Sequence, residues 1–318
     1  MPSDALGIDA QYRAIREEAG LLDRSDRARL AVGGSEGAEF LQGQLTNDIE
    51  ALAPGEGCYA ALLDRKGKIR ADMRVLRLAP DRLLIDTEAA AGDVLLRHLE
   101  MYKVGRDATV EPGPDGEALL SLIGPRAPQL AGDVPAGPEH SHREVLIAGA
   151  RCLAIATDGG VDLLIPPGSA DDVREHLLGA GAAPIEAEAA EIARVEAGRP
   201  RLGREIGPQT MPQEAGINER AVSFTKGCYI GQETVARLHY KGKPNRHLRL
   251  LAPEAEVAGG DPVTLEGREI GTIGTAVLSP ARGPLALAIL RREAEPGAEV
   301  LVGEGTTARV EEINGKQA

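Results

Sequence analysis

After Arg246 the chain leaves no room for helices between its apolar stretches. Residues 247–251, 262–265, 272–277, 285–290 and 298–302 are short runs rich in Leu, Val and Ile, parted by Gly, Pro and Asp turns. Parallel strands need a crossover of roughly a dozen residues or more, usually a helix, whereas antiparallel neighbours join through tight turns. The spacing therefore predicts a small antiparallel β-barrel over 246–318.

The sequence before that point has a different texture. Helix-compatible spacing of Ile15, Ala19 and Leu22 predicts a helix over 12–22. A short strand at 29–32 precedes a helix that Ser35 can cap, with Phe40, Leu41 and Leu45 buried. Residues 57–63 and 69–78 read as a hairpin around Asp64-Arg65-Lys66-Gly67. Further strands are expected at 83–85, 119–123, 145–155 and 163–165. Helices are expected at 94–99, at 171–178 behind a Ser169 cap, and at 188–197. The Pro- and Gly-rich stretch 125–138 is a candidate internal boundary. Strands and helices in this order make an α+β chain, with 1–245 as a two-part α/β region and 246–318 as the barrel.

Composition narrows the function classes. Aromatic residues are 2% of the chain, so the core must be aliphatic and a planar ligand finds few rings to stack on. A formal charge of −13 argues against general nucleic-acid binding, although Lys226, Arg237, Lys241, Lys243, Arg246 and Arg249 make one local basic stretch. Cys58, Cys152 and Cys228 show neither CxxC nor zinc spacing, and with no secretory segment or membrane-length apolar run they suit a cytoplasmic protein without a metal site.

The segment most able to carry chemistry is Lys226-Gly227-Cys228-Tyr229-Ile230-Gly231-Gln232-Glu233, followed by Arg237. It gathers a thiol, an amide, a carboxylate and two cations around two glycines. Lys226 or Arg237 can bind a carboxylate or favour the Cys228 thiolate. An equally good fit to the residues alone is a structural turn, with Cys228 buried and Glu233–Arg237 a surface pair. Asp72, in a strand, and Asn47-Asp48, in a turn-forming run, are the other candidates, each with a plain structural alternative.

This segment resembles the K-G-C-[FY]-x-G-Q-E-x-x-x-R signature of the YgfZ-type folate-binding proteins, relatives of the glycine cleavage T-protein. Residues 194–200, 203–205 and 212–214 resemble the stretch before that signature, and 20–25 with 40–48 resemble both groups. The resemblance covers most of the chain. It implies a cloverleaf of two intimately joined α/β units and a C-terminal barrel around an opening for tetrahydrofolate or a related reduced folate. It places Asn47, Asp48, Asp72, Glu196, Tyr229 and Arg237 at the folate. Lys226, Gly227, Cys228, Tyr229, Gly231, Gln232, Glu233 and Arg237 form the functional motif, with Cys228 the candidate thiol.

Asp72 stands at the second acidic position of the T-protein pattern G-G-x-x-D-D, but Ala71 replaces the first and Gly67-Lys68 the double glycine. The resemblance thus implies an accessory protein more than an enzyme, one supporting assembly or repair of iron–sulfur enzymes and affecting tRNA modification indirectly. Its partners would be those enzymes or the cluster-assembly machinery. The alternatives are a tetrahydrofolate-dependent aminomethyltransferase and a non-catalytic interaction module. No feature sets the oligomeric state, and a monomer is compatible with all three.

Overall fold

A computed structural model describes residues 6–132 and 137–313. The chain divides into two compact units. The first takes the chain up to Leu62, then Arg70–Ala190 and Thr225–Ile230; the second takes Leu63–Ile69, Glu191–Phe224 and the chain from Gly231 onward. The sequence of each unit is therefore discontinuous, and the Lys226–Arg237 motif is divided between them.

The first unit holds two sheets. One has six strands, ordered Ala183–Pro184, Gly20–Asp23, Ala118–Ile123, Gly160–Ile165, Ala150–Thr157 and His142–Ile147. Its pairings are antiparallel except the two-residue parallel pairing of Gly20 and Leu21 with Ala183 and Pro184. The other has five strands, ordered Gly57–Leu63, Ile69–Ala79, Arg82–Thr87, Ala28–Gly33 and Thr109–Pro112. Leu76 and Leu84 of the five-stranded sheet meet Leu119, Ile155 and Leu164 of the six-stranded sheet in one buried cluster.

Side chains two apart share a strand face. In Ile69–Ala79 this puts Asp72, Arg74 and Leu76 on one face, all buried. Arg74 bridges the sheets: its Nε lies 2.7 Å from Asp86 and its Nη1 2.6 Å from Asp162. Arg27 completes Asp86 at 3.0 Å, and the Ser121 hydroxyl donates to Asp162 at 2.6 Å. Burial alone would raise both carboxyls, but the Arg74 guanidinium and, next, Arg27 or Arg24 hold Asp86 and Asp162 below the usual carboxylate range. Sequence reading missed this network. Its clearest signal was Asp162, the single charge in the otherwise apolar strand Gly160–Ile165.

The second unit carries a closed six-stranded barrel. Its strands run in the order Arg246–Pro253, Gly283–Arg291, Arg268–Ser279, Pro262–Leu265, Glu299–Val302 and Thr306–Glu311, and the last pairs with the first. Every pairing is antiparallel. Leu251, Val263, Ile273, Leu290, Val300 and Val310 fill the interior with Ala286, Ala288 and Ala308 between them. Small residues opposite branched ones suit the narrow bore of six strands.

Four local expectations change. The first helix is Ile8–Glu17, and Leu22 lies on the strand Gly20–Asp23. A side chain at Gly20 would come within 2.8 Å of Ile185, so a glycine permits the close packing with which the strand begins. Ser35 does not cap the next helix; its hydroxyl donates to Asp107 at 2.6 Å, and Glu36 occupies the cap position. Ser169 stands at its cap position without a side-chain cap bond. The stretch 125–138 is not a boundary, because Ala118–Ile123 and Ala150–Thr157 both pair with Gly160–Ile165; residues 133–136 of it lie outside the described residues.

Candidate functional site

The site grows from a loop built to hold itself. Helix Gly37–Gln44 ends with Leu45, and the next residues are fastened to the strand Gly57–Leu63. Thr46 exchanges two bonds with Ala61, its amide donating at 3.0 Å and its hydroxyl accepting at 2.8 Å. Asn47 Nδ2 donates to the Tyr59 carbonyl at 2.8 Å, and its Oδ1 accepts the Asp48 amide at 2.9 Å. Gln42 donates to Asp48 at 2.9 Å and accepts the Ile49 amide at 2.7 Å. Gln42 and Thr46 were not singled out by sequence reading, although both lie in the quoted run 40–48.

Tyr59 carries the chain of contacts onward. Its hydroxyl donates to Asp72 Oδ2 at 2.5 Å. The Thr87 hydroxyl donates to the Asp72 carbonyl at 2.6 Å and fixes the strand beneath. Asp72 is 9% exposed, so it is not a solvent-facing residue of the hairpin. Burial raises its carboxyl above the usual range; the Tyr59 hydroxyl and the charge of Arg27 only partly offset this. A buried acid that retains a proton can donate as well as accept.

Lys226, from the first half of the motif, lies in the same unit and is buried. Its Nζ donates to the carbonyls of Gln42 at 2.5 Å, Leu45 at 2.7 Å and Asn47 at 2.9 Å. Burial pushes the ammonium down to about 8, against the opposing charges of Asp48, Cys58 and Glu50. Burial likewise pushes the half-buried Cys58 thiol up to about 12, with Lys226 pulling the other way, and Tyr229 up to about 12. Lys226 therefore secures backbone carbonyls of the loop. Cys228 is exposed, not buried beside Ile230. Cys152 is buried among apolar neighbours.

The remaining candidates belong to the second unit. Glu196 ends the helix Ala187–Glu196 and accepts the Ser279 hydroxyl at 2.5 Å. Near it in sequence, Arg194 binds Glu191 at 2.9 Å, Glu205 at 3.1 Å and Thr275 at 2.8 Å. Gln232, Glu233 and Arg237 lie on helix Gln232–Lys241, the last two exposed. Gly231 has φ 84°, and a Cβ there would sit 2.5 Å from the Asp64 carbonyl, so this motif glycine lets the chain close on the 64–67 turn. Gly227 meets nothing within 4 Å. His239 stacks on Phe224 with ring centroids 3.8 Å apart. Among the described residues no group of three or more His, Cys, Asp or Glu is placed to hold a metal ion, and no helix is long and apolar enough to cross a membrane.

The model of one family, the GCVT N-terminal domain, matches residues 4–226. The chain belongs to that family. The match ends at Lys226, so most of the thiol motif and the whole barrel lie beyond it. Full-length relatives extend the likeness. An aminomethyltransferase of Rubrobacter xylanophilus is 30% identical, over 96% of this chain and 84% of that protein. One from Synechococcus sp. strain RCC307 is 28% identical, over 98% and 88%. The crystal structure of the glycine cleavage system aminomethyltransferase T from Bartonella henselae superposes with a TM-score of 0.86 at 25% identity, covering 97% of this chain and 89% of that one. The α+β fold with a C-terminal antiparallel barrel is thus that of the aminomethyltransferase family.

Proposed function

We propose that this chain binds a reduced folate beside Asp72 and serves tetrahydrofolate-dependent aminomethyl transfer. The observation that carries the proposal is the Asn47–Tyr59–Asp72 chain, which presents a buried carboxyl held above its ordinary range. The names of the full-length relatives support the reaction class. The donor set fits the ligand: a pterin offers ring N–H groups to a carboxylate, and Asp72 is a carboxyl kept dry and oriented by one hydroxyl. When bound, tetrahydrofolate would supply the amine that accepts the one-carbon unit. Asp72 would hold or take up a proton at its carboxyl oxygen next to that amine. Tyr59 would orient the carboxyl, Asn47 would tie Tyr59 to the loop, and Lys226 would keep the loop closed over the strand.

A second reading keeps the folate and drops the transfer. Ala71 and Lys68 depart from the T-protein pattern, and Cys228 is exposed on the YgfZ-type motif. These observations favour a folate-dependent accessory protein for iron–sulfur enzymes, with the Cys228 thiol meeting the client. The two readings separate in one pair of assays. Transfer from an aminomethyl-loaded carrier protein to tetrahydrofolate by the purified chain establishes the first. Saturable folate binding without transfer, with loss of iron–sulfur enzyme activity in a deletion strain restored by the native chain but not by Cys228→Ser, establishes the second. Absence of folate binding rejects both.

A further inference from the structure

Residues 226–229 have an unusual burial pattern. Lys226 and Tyr229 are buried at 9% and 7% exposure, while Gly227 and Cys228 between them are exposed. The thiol is displayed on a two-residue bulge with an anchor at each end. The two anchors also meet, since Lys226 Nζ lies 5.1 Å from the centroid of the Tyr229 ring. The first anchor reaches outside its own segment. Its three carbonyl acceptors come from Gln42, Leu45 and Asn47, at the end of a helix and in the following loop, where intrahelical donors have run out. The same loop is fixed to Tyr59 through the Asn47 side chain.

We propose that Lys226 is a positioning residue that couples the Asn47–Asp48 loop to the Cys228 thiol, so that a change in either is felt at the other. A shift of the loop moves three carbonyls at once, and the ammonium that follows them carries the backbone two residues before Cys228. Such coupling is reciprocal: whatever fixes the thiol segment also fixes the loop. It requires no bound ligand, and it stands or falls independently of the folate reading.

A double-mutant cycle tests it. The rate of iodoacetamide alkylation at Cys228, followed by peptide mass spectrometry to exclude Cys58 and Cys152, is measured in the native chain, Asn47→Ala, Lys226→Met and the double variant. Asn47→Ala is expected to change the rate by about threefold or more when Lys226 is present and to change nothing further in the Lys226→Met background, because coupled sites are not additive. Lys226→Arg, which keeps a cation with several donors, should restore the response to Asn47→Ala; a space-filling side chain would not need the cation. Independent effects in the double variant, or no response to Asn47→Ala, would overturn the proposal. A second measurement avoids any substitution of Lys226: Asn47→Ala should speed amide exchange at Lys226 and Tyr229 while leaving Leu120 and Leu163 in the six-stranded sheet unchanged. Unaltered exchange at Lys226 and Tyr229 would also overturn it.

Discussion

Asp72 and Asp86 lie on neighbouring strands of one sheet, and both are buried, yet their carboxyls are driven in opposite directions. Asp86 meets two guanidinium groups, Arg74 at 2.7 Å and Arg27 at 3.0 Å. Asp72 shares a strand face with Arg74 two residues away, but its contact at 2.5 Å is the neutral Tyr59 hydroxyl. The first arrangement stabilises a charge and joins two sheets. The second leaves a carboxyl that gains from holding a proton, which is the property a proton-handling or ligand-binding acid requires. Burial alone does not make a carboxylate functional; what it is paired with does.

The largest way to break this comparison is to remove the shared cation. Arg74→Met strips Asp162 and Asp86 of a partner while they stay buried, and should cost about 3–5 kcal/mol of unfolding free energy by urea titration. A loss near zero would mean that the network does not hold the sheets together. Next in size is the acid response. Asp86 and Asp162 have folded-state values below the ordinary 3.8, so their contribution is complete above that value and is lost as pH falls through the lower folded values. Asp72 has the opposite sign: its contribution is complete below the ordinary value and is lost as pH rises through its raised one. Asp72→Asn should therefore leave stability at pH 7 unchanged or higher, whereas Asp162→Asn should lower it and flatten the acid limb. The same drop at pH 7 in both variants would erase the distinction. The smallest effect sharpens the comparison. Tyr59→Phe removes the bond that partly lowers Asp72, costs about 1 kcal/mol of stability, and moves the Asp72 titration seen by carboxyl NMR further upward. A titration that stays in place would mean that Tyr59 does not set the carboxyl.

How far the sequence spoke depended on whether a residue's partners leave a local trace. The barrel after Arg246 was legible because short strands and tight turns leave few other solutions. The Lys226–Arg237 segment stood out by its residues and was sharpened by resemblance to a family motif, whereas Asp72 gained weight through resemblance alone, since nothing in spacing distinguishes it from an exposed hairpin residue. Lys226 was recognised as important, but its hold on the carbonyls of Gln42, Leu45 and Asn47 was not foreseen, because backbone acceptors have no side-chain signature. Arg74, Asp86 and Asp162 were overlooked because single charges in strands read as solvent-facing until the second sheet is known. Ile15, Ala19 and Leu22 satisfied a helical period across the point where the helix ending at Glu17 gives way to the strand that Gly20 begins, and a Cβ at Gly20 would collide with Ile185.

The measurement that bears most directly on the account is calorimetric titration of the native chain, Asp72→Ala and Asp86→Asn with tetrahydrofolate, each checked for an intact fold by circular dichroism. The native chain should bind saturably. Asp72→Ala should weaken binding by about 1.5–3 kcal/mol, the range for a hydrogen bond involving a charged group, at unchanged stoichiometry. Asp86→Asn, wherever it remains folded, should bind like the native chain. Equal affinity in Asp72→Ala, or a loss confined to Asp86→Asn, would contradict the assignment of Asp72 as the carboxyl that meets the folate.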